Sequence, residues 1–251
     1  MTCAFFLIDS RLFVTHLDGF PMLPPEPPPF DPYPWKRPTA WVTWIILGST
    51  IAVFLCQLLE LHLRGEDVVG DTLAFSPQAW ADGHYWTLIT YAWVHAVAMF
   101  GDSSLFWLHI AANMIFLFCL GPALEEFLGH WKYLGLYVGG AIAAALVWFL
   151  FNSDTDSDQG IIGASGAIFA LIAGAGTAAP RERVIVYIFY VLPIKMTLRT
   201  MALVICGAEV AQQVFGWIPE IAHTAHLGGA LFGFIYVLLV RYLSRPPALG
   251  D

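Results

Sequence analysis

Six apolar stretches recur along the chain, each close to the roughly 20 residues that an α-helix needs to cross the hydrocarbon core of a bilayer. They run Trp41–Leu61, Leu105–Gly121, Tyr133–Phe151, Ile161–Ala179, Thr200–Ile218 and Ala222–Val240. Composition supports the same reading: of 251 residues, 58% are apolar and 12% are charged, against a soluble norm of about 25% charged. Mean hydropathy is +0.68. A soluble fold of this size keeps roughly a quarter of its surface exposed and could not hide so much apolar side chain. A soluble globular enzyme and a disordered chain are thereby excluded. With 11 Lys and Arg against 19 Asp and Glu, no basic footprint for phosphates exists, so nucleic acid is not an expected partner. The lipid bilayer is the expected one. The predicted fold class is all-α, a polytopic membrane protein with one domain over residues 41–242.

Two further apolar runs, Trp86–Phe100 and Val184–Ile194, are too short to span and read as interfacial or re-entrant pieces. Orientation follows from the cations. With the N-terminus cytoplasmic, Arg64 is the one Lys or Arg of the 11 in an outer segment. Both termini are therefore expected on the cytoplasmic side. Residues 1–40 read as a cytoplasmic tail, proline-rich and extended over Phe20–Pro38, and residues 243–251 as a short second tail. The opening residues lack the basic region of a cleaved signal and the Arg and Ser of a transit peptide. No internal repeat is visible, which weakens a two-fold symmetric transporter reading. Cys3, Cys56, Cys119 and Cys206 are scattered without metal-ligand spacing and read as packing residues.

Polar residues inside spans are informative because a charge there costs roughly 2.5–3.5 kcal/mol on insertion scales. Span two carries His109 and Asn113, span four Ser165, span five Glu209, Gln212 and Gln213, and span six His223 and His226. Spans two, four and six all run inward. His109, Ser165 and His226 are each the fifth residue of their span, about 6–8 Å below the outer boundary at 1.5 Å per residue. Asn113 lies one turn deeper on the face of His109. Small residues repeat every four positions in span four (Gly166, Ala170, Gly174, Ala178) and span six (Ala225, Gly229, Gly233), which lets two helices approach closely. Such a contact would bring the Ser165 hydroxyl to the His226 imidazole, as a serine nucleophile requires. His109 and Asn113, with the Ser165 backbone N–H, would offer donors to an oxyanion. The chemistry this suggests is peptide hydrolysis just inside the outer membrane face.

Each element also has a plain structural alternative. Gly-x-Ser-Gly in a span packs helices, His109 and Asn113 can hydrogen-bond neighbouring helices, and His226 can be a satisfied core histidine. His223 reads as structural, His95 as interfacial, and Glu209 has no evident partner. The shared depth of the polar groups favours the catalytic reading.

These residues resemble the rhomboid intramembrane serine proteases: His109-x-x-x-Asn113, Gly163-Ala164-Ser165-Gly166-Ala167-Ile168-Phe169, Ala225-His226-Leu227-Gly228-Gly229-x-x-x-Gly233, and Glu125-x-x-x-Gly129. The resemblance covers about residues 40–242. It implies the six-transmembrane-helix rhomboid core, with Ser165 as nucleophile and His226 as general base in a dyad without a carboxylate. His109, Asn113 and the Ser165 amide would form the oxyanion hole, and Phe169 would pack on the catalytic histidine. Substrates would be single-span membrane proteins, cut near the outer face with small residues at the cut. No cofactor or metal is implied. The separation of His95 from His109 by Ala96–Leu108 departs from the bacterial pattern, so no role is carried over to His95. A bacterial plasma membrane is the expected location, with a mitochondrial inner membrane as the alternative. The rival functions are a rhomboid-like client-binding protein without proteolysis, against which the presence of both Ser165 and His226 counts, and a proton-coupled transporter using Glu209 and His223. A membrane zinc protease would need His-Glu-x-x-His, and an aspartyl protease two aspartates in spans; the chain has neither.

Overall fold

The computed structural model describes residues 4–7, 40–97, 106–153, 160–188, 192–216 and 222–243. Most of the expected N-terminal tail, the C-terminal tail and residues 98–105 of the outer loop lie outside the described residues. The elements in chain order are β1 (Ala4–Leu7), α1 (Trp41–Arg64), α2 (Val68–Leu73), α3 (Pro77–Ala81) and α4 (Thr87–Thr90), which runs into a 3-10 turn at Tyr91–Trp93. Then follow α5 (Phe106–Leu128), α6 (His130–Asn152), α7 (Ser165–Ala178), β2 (Arg183–Ile188), β3 (Leu192–Thr197), α8 (Leu198–Phe215) and α9 (His223–Leu243).

Four of these helices, α1, α5, α6 and α9, are long and apolar enough to cross a membrane. They correspond to the first, second, third and sixth expected spans. The fourth and fifth differ. The chain from Gly160 to Ala164 is not helical: Ile161 pairs with Phe75 through N–H to O bonds of 2.7 and 3.2 Å, and Gly163 takes φ +110°. Its apolar side chains had extended the expected span by four residues, so Ser165 is the first residue of its helix rather than the fifth. The resulting 14-residue α7 is about 21 Å long, shorter than the roughly 30 Å hydrocarbon core. The 18-residue α8 carries Arg199, Glu209, Gln212 and Gln213, which lower its apolar content.

The all-α expectation is corrected by a three-stranded antiparallel sheet, ordered β1-β2-β3. The run over Val184–Ile194 forms most of a hairpin, with Arg183 opposite Thr197 and Ile188 opposite Leu192. Its β-branched residues suit a pleated strand. Ala4–Leu7 pairs along β2, so this part of the expected tail is docked. The run from Trp86 is folded into the body rather than laid at an interface as far as it is described. Thr87, Tyr91, Ala92, Val94 and His95 are buried, and the Tyr91 hydroxyl donates to the Ala141 carbonyl at 2.8 Å.

The core is built around α7, which packs against α5, α6, α8 and α9. All of its residues except Ser165 and Thr177 are buried, as expected of a helix apolar on every face. Glycine sets its closest contact. A β-carbon on Gly229 would collide with the Gly166 carbonyl, and one on Gly233 with the Ala170 carbonyl. Small-residue stripes thus bring the α7 and α9 backbones together. Farther out, the buried Glu125 carboxylate on α5 accepts the Val42 N–H at 3.0 Å and the Thr43 N–H at 2.8 Å. The Thr43 hydroxyl donates to it at 2.7 Å, and His130 adds a further bond. These bonds satisfy amides that the start of α1 leaves without intrahelical acceptors. The chain then turns from α5 to α6 at Gly129, with φ +80°.

Gly229→Ala and Gly48→Ala should therefore differ sharply. At Gly48 the added methyl meets open space, and alanine should be neutral or stabilise the helix by about 0.5–1 kcal/mol. At Gly229 it meets backbone that cannot rotate away, and a loss of at least roughly 1–3 kcal/mol is expected. Thermal unfolding of the two variants in detergent checks this; equal melting temperatures would deny the close α7–α9 contact.

Candidate active site

Ser165 opens α7, so its backbone N–H points out of the first turn without an intrahelical acceptor. The first intrahelical bond runs from Ile168 N–H to the Ala164 carbonyl at 2.9 Å. No side chain caps this end, leaving the positive pole of the helix beside the serine. On α9, His226 lies one turn into the helix, and its Nε2 is 2.8 Å from Ser165 Oγ. The Phe169 ring, one turn after Ser165, stacks on the His226 ring with centroids 4.4 Å apart and planes 6° apart.

The other edge of the imidazole meets a group that the dyad expectation left out. Glu209 of α8 places Oε2 at 2.9 Å from His226 Nδ1 and 2.6 Å from His223 Nδ1. An ionised carboxylate only accepts hydrogen bonds, so each Nδ1 carries the proton it donates. When His226 is neutral, its Nε2 then holds a lone pair that can accept the Ser165 hydroxyl. The absence of an evident partner for Glu209 is thus corrected. A signal for this pairing was present in the sequence. Glu209 is near the C-terminal end of α8, and His223 and His226 are near the N-terminal end of α9, so the connection puts all three at one end of the bundle. Glu209, His223 and His226 also bring three ligand atoms within 4.8 Å of one another, a donor set that suits zinc. The hydrogen bonds satisfy these atoms without a cation.

His109 and Asn113 of α5 converge on the loop before Ser165. A β-carbon at Gly163 would lie 2.7 Å from His109 Nε2 and 3.7 Å from Asn113 Nδ2. Glycine there serves both the space and the φ of +110°. The Gly163 N–H is held by the Tyr91 carbonyl at 2.9 Å, which ties this loop to the body. Asn113 donates one amide hydrogen to the His109 carbonyl at 3.0 Å, and its amide carries a second. The structure therefore brings Ser165 and His226 into direct contact and sets His109 and Asn113 beside the adjoining loop.

His95 is also placed differently from its interfacial expectation. It is fully buried, with its ring centroid 5.1 Å from that of His109. Gln57 of α1 bonds its main chain in both directions, at 3.1 Å each. Burial, with the His109 ring adding to it, pushes the His95 imidazole down to about 3, so it is neutral at ordinary pH.

The Rhomboid domain family model matches residues 82–243, more than half of the chain. RHOMBOID-like protein 5 of Arabidopsis thaliana is 27% identical over 88% of this chain and 78% of its own length. Presenilin-associated rhomboid-like protein A, mitochondrial, of Danio rerio is 31% identical over 52% of this chain and 33% of its own length. Rhomboid protease GluP of Bacillus subtilis (strain 168) is 27% identical over 73% of this chain and 32% of its own length. The chain thus spans about a third of the latter two. Taken with its apolar helices, these matches make the chain an integral, multi-pass membrane protein that belongs to the rhomboid family.

Proposed function

We propose that the protein is an intramembrane serine endopeptidase that cuts single-span membrane proteins near the outer membrane face. The observation that carries this reading is the 2.8 Å contact between Ser165 Oγ and His226 Nε2, at a helix start that no side chain caps. In this reading His226 takes the hydroxyl proton as Ser165 attacks the scissile carbonyl. The oxyanion is met by the Ser165 N–H, His109 and the second Asn113 hydrogen. Protonated His226 then gives its proton to the leaving amine, and water hydrolyses the acyl-enzyme. The short α7 supports a site recessed into the membrane slab rather than at its surface.

The proposal includes six crossings, with α7 and α8 as the fourth and fifth, and both termini in the cytoplasm. The confinement of ten of the 11 Lys and Arg to inner segments supports that orientation. A bacterial plasma membrane is the proposed location; relatives named as mitochondrial make the mitochondrial inner membrane its alternative.

The test is cleavage of a helical, single-span substrate by purified protein in liposomes. Ser165→Ala and His226→Ala should abolish cleavage while leaving the melting temperature near native. His223→Ala should be milder, since His223 reaches Glu209 whereas His226 makes the contact with Ser165. Retained turnover in Ser165→Ala would refute the nucleophile, and an inactive native chain would favour a rhomboid-like client binder. Asn113→Ala should lower kcat by about 10²–10³-fold, the cost of one oxyanion donor in a soluble serine protease; an unchanged kcat would remove Asn113 from that role.

A further inference from the structure

Glu209 is the one acidic side chain on α8, and a carboxylate at that depth requires partners to offset its desolvation. It directs one oxygen at two imidazole Nδ1 atoms, at 2.6 Å from His223 and 2.9 Å from His226. The same His226 ring meets Ser165 at its far edge and Phe169 across its face. Three contacts from two helices, α7 and α8, thus fix the orientation of a side chain on a third. We propose that Glu209 is a positioning residue that orients the His226 imidazole towards Ser165, standing behind the Ser165–His226 dyad. This inference rests on the proposed roles of Ser165 and His226.

The carboxylate acts through His226 in two ways. It selects the tautomer with hydrogen on Nδ1, which leaves the Nε2 lone pair facing Ser165. It also stabilises the positive ring formed when the serine proton arrives, without taking that proton itself. His223 supplies a second donor to the same oxygen and so holds the carboxylate in place. A divalent cation on Glu209, His223 and His226 would act in the opposite sense. It would need the Nδ1 lone pair of His226, place hydrogen on Nε2 and remove the base from Ser165.

Glu209→Gln keeps the size of the side chain and removes its charge, and Glu209→Asp keeps the charge. Both are to be compared with native protein in liposomes for kcat, KM and melting temperature. Nitrogen-15 NMR of labelled histidine reports the His226 tautomer, assigned by its loss in His226→Ala. Glu209→Gln should reduce kcat on the order of 10²–10⁴-fold, as loss of the triad carboxylate does in soluble serine proteases, with KM within about twofold. Glu209→Asp should recover part of kcat. Native His226 should carry hydrogen on Nδ1, and Glu209→Gln should shift it towards Nε2. A native-like kcat in Glu209→Gln, equal losses in both variants alongside lowered melting temperatures, or an unchanged tautomer would overturn the proposal. So would loss of native activity on chelation with recovery on zinc addition. If the native chain cleaves nothing, the protease reading fails, and the tautomer still decides whether Glu209 positions His226.

Discussion

The contact of α7 with α9 is the constraint on which the rest depends. Where Gly229 faces the Gly166 carbonyl and Gly233 faces the Ala170 carbonyl, no β-carbon fits. Two backbones that close leave little freedom for the side chains at the ends of the contact. Ser165 immediately precedes Gly166, and His226 lies one turn before Gly229, so packing at the glycines sets the 2.8 Å separation of hydroxyl and imidazole. Hydrophobic burial drives helices together less within lipid than in water, and close van der Waals fit replaces it. The site is therefore a consequence of small residues as much as of reactive ones.

Around that contact, several buried polar side chains are held by specific partners. Glu125 receives two backbone amides and a hydroxyl at the start of α1. Gln57 pairs with the main chain of His95, and Tyr91 reaches across to α6. These bonds offset the cost of taking polar atoms out of water, and the Gly163 N–H bond to the Tyr91 carbonyl ties the loop before Ser165 to the same body. Glu209 follows the same rule from α8, using its charge on the two histidines of α9.

Much of this was legible in the sequence because bilayer thickness and helical rise turn residue counts into span lengths. The helices at the first, second, third and sixth expected spans follow from apolar length. The depth count that grouped Ser165 with His226, His109 and Asn113 took Ser165 as fifth in its span, and it opens α7 instead. The small-residue stripes were the sounder signal for the α7–α9 contact. What was not legible depended on local backbone. Ile161 is as apolar in an extended bridge as in a helix, so the start of α7 was misplaced by four residues. The hairpin through Val184 was ambiguous by length, although its β-branched residues favoured strands. The partner of Glu209 required pairing α8 with α9 by their connected ends. The burial of His95 depends on how the loop after α4 folds inward, which no periodicity encodes.

Labelling with a serine-directed fluorophosphonate, followed by peptide mass mapping, tests the central contact most directly. A hydroxyl activated by the adjoining imidazole should carry the adduct on Ser165 alone, and removing the His226 ring should suppress labelling. An adduct on another residue, or equal labelling with and without that ring, would contradict the account.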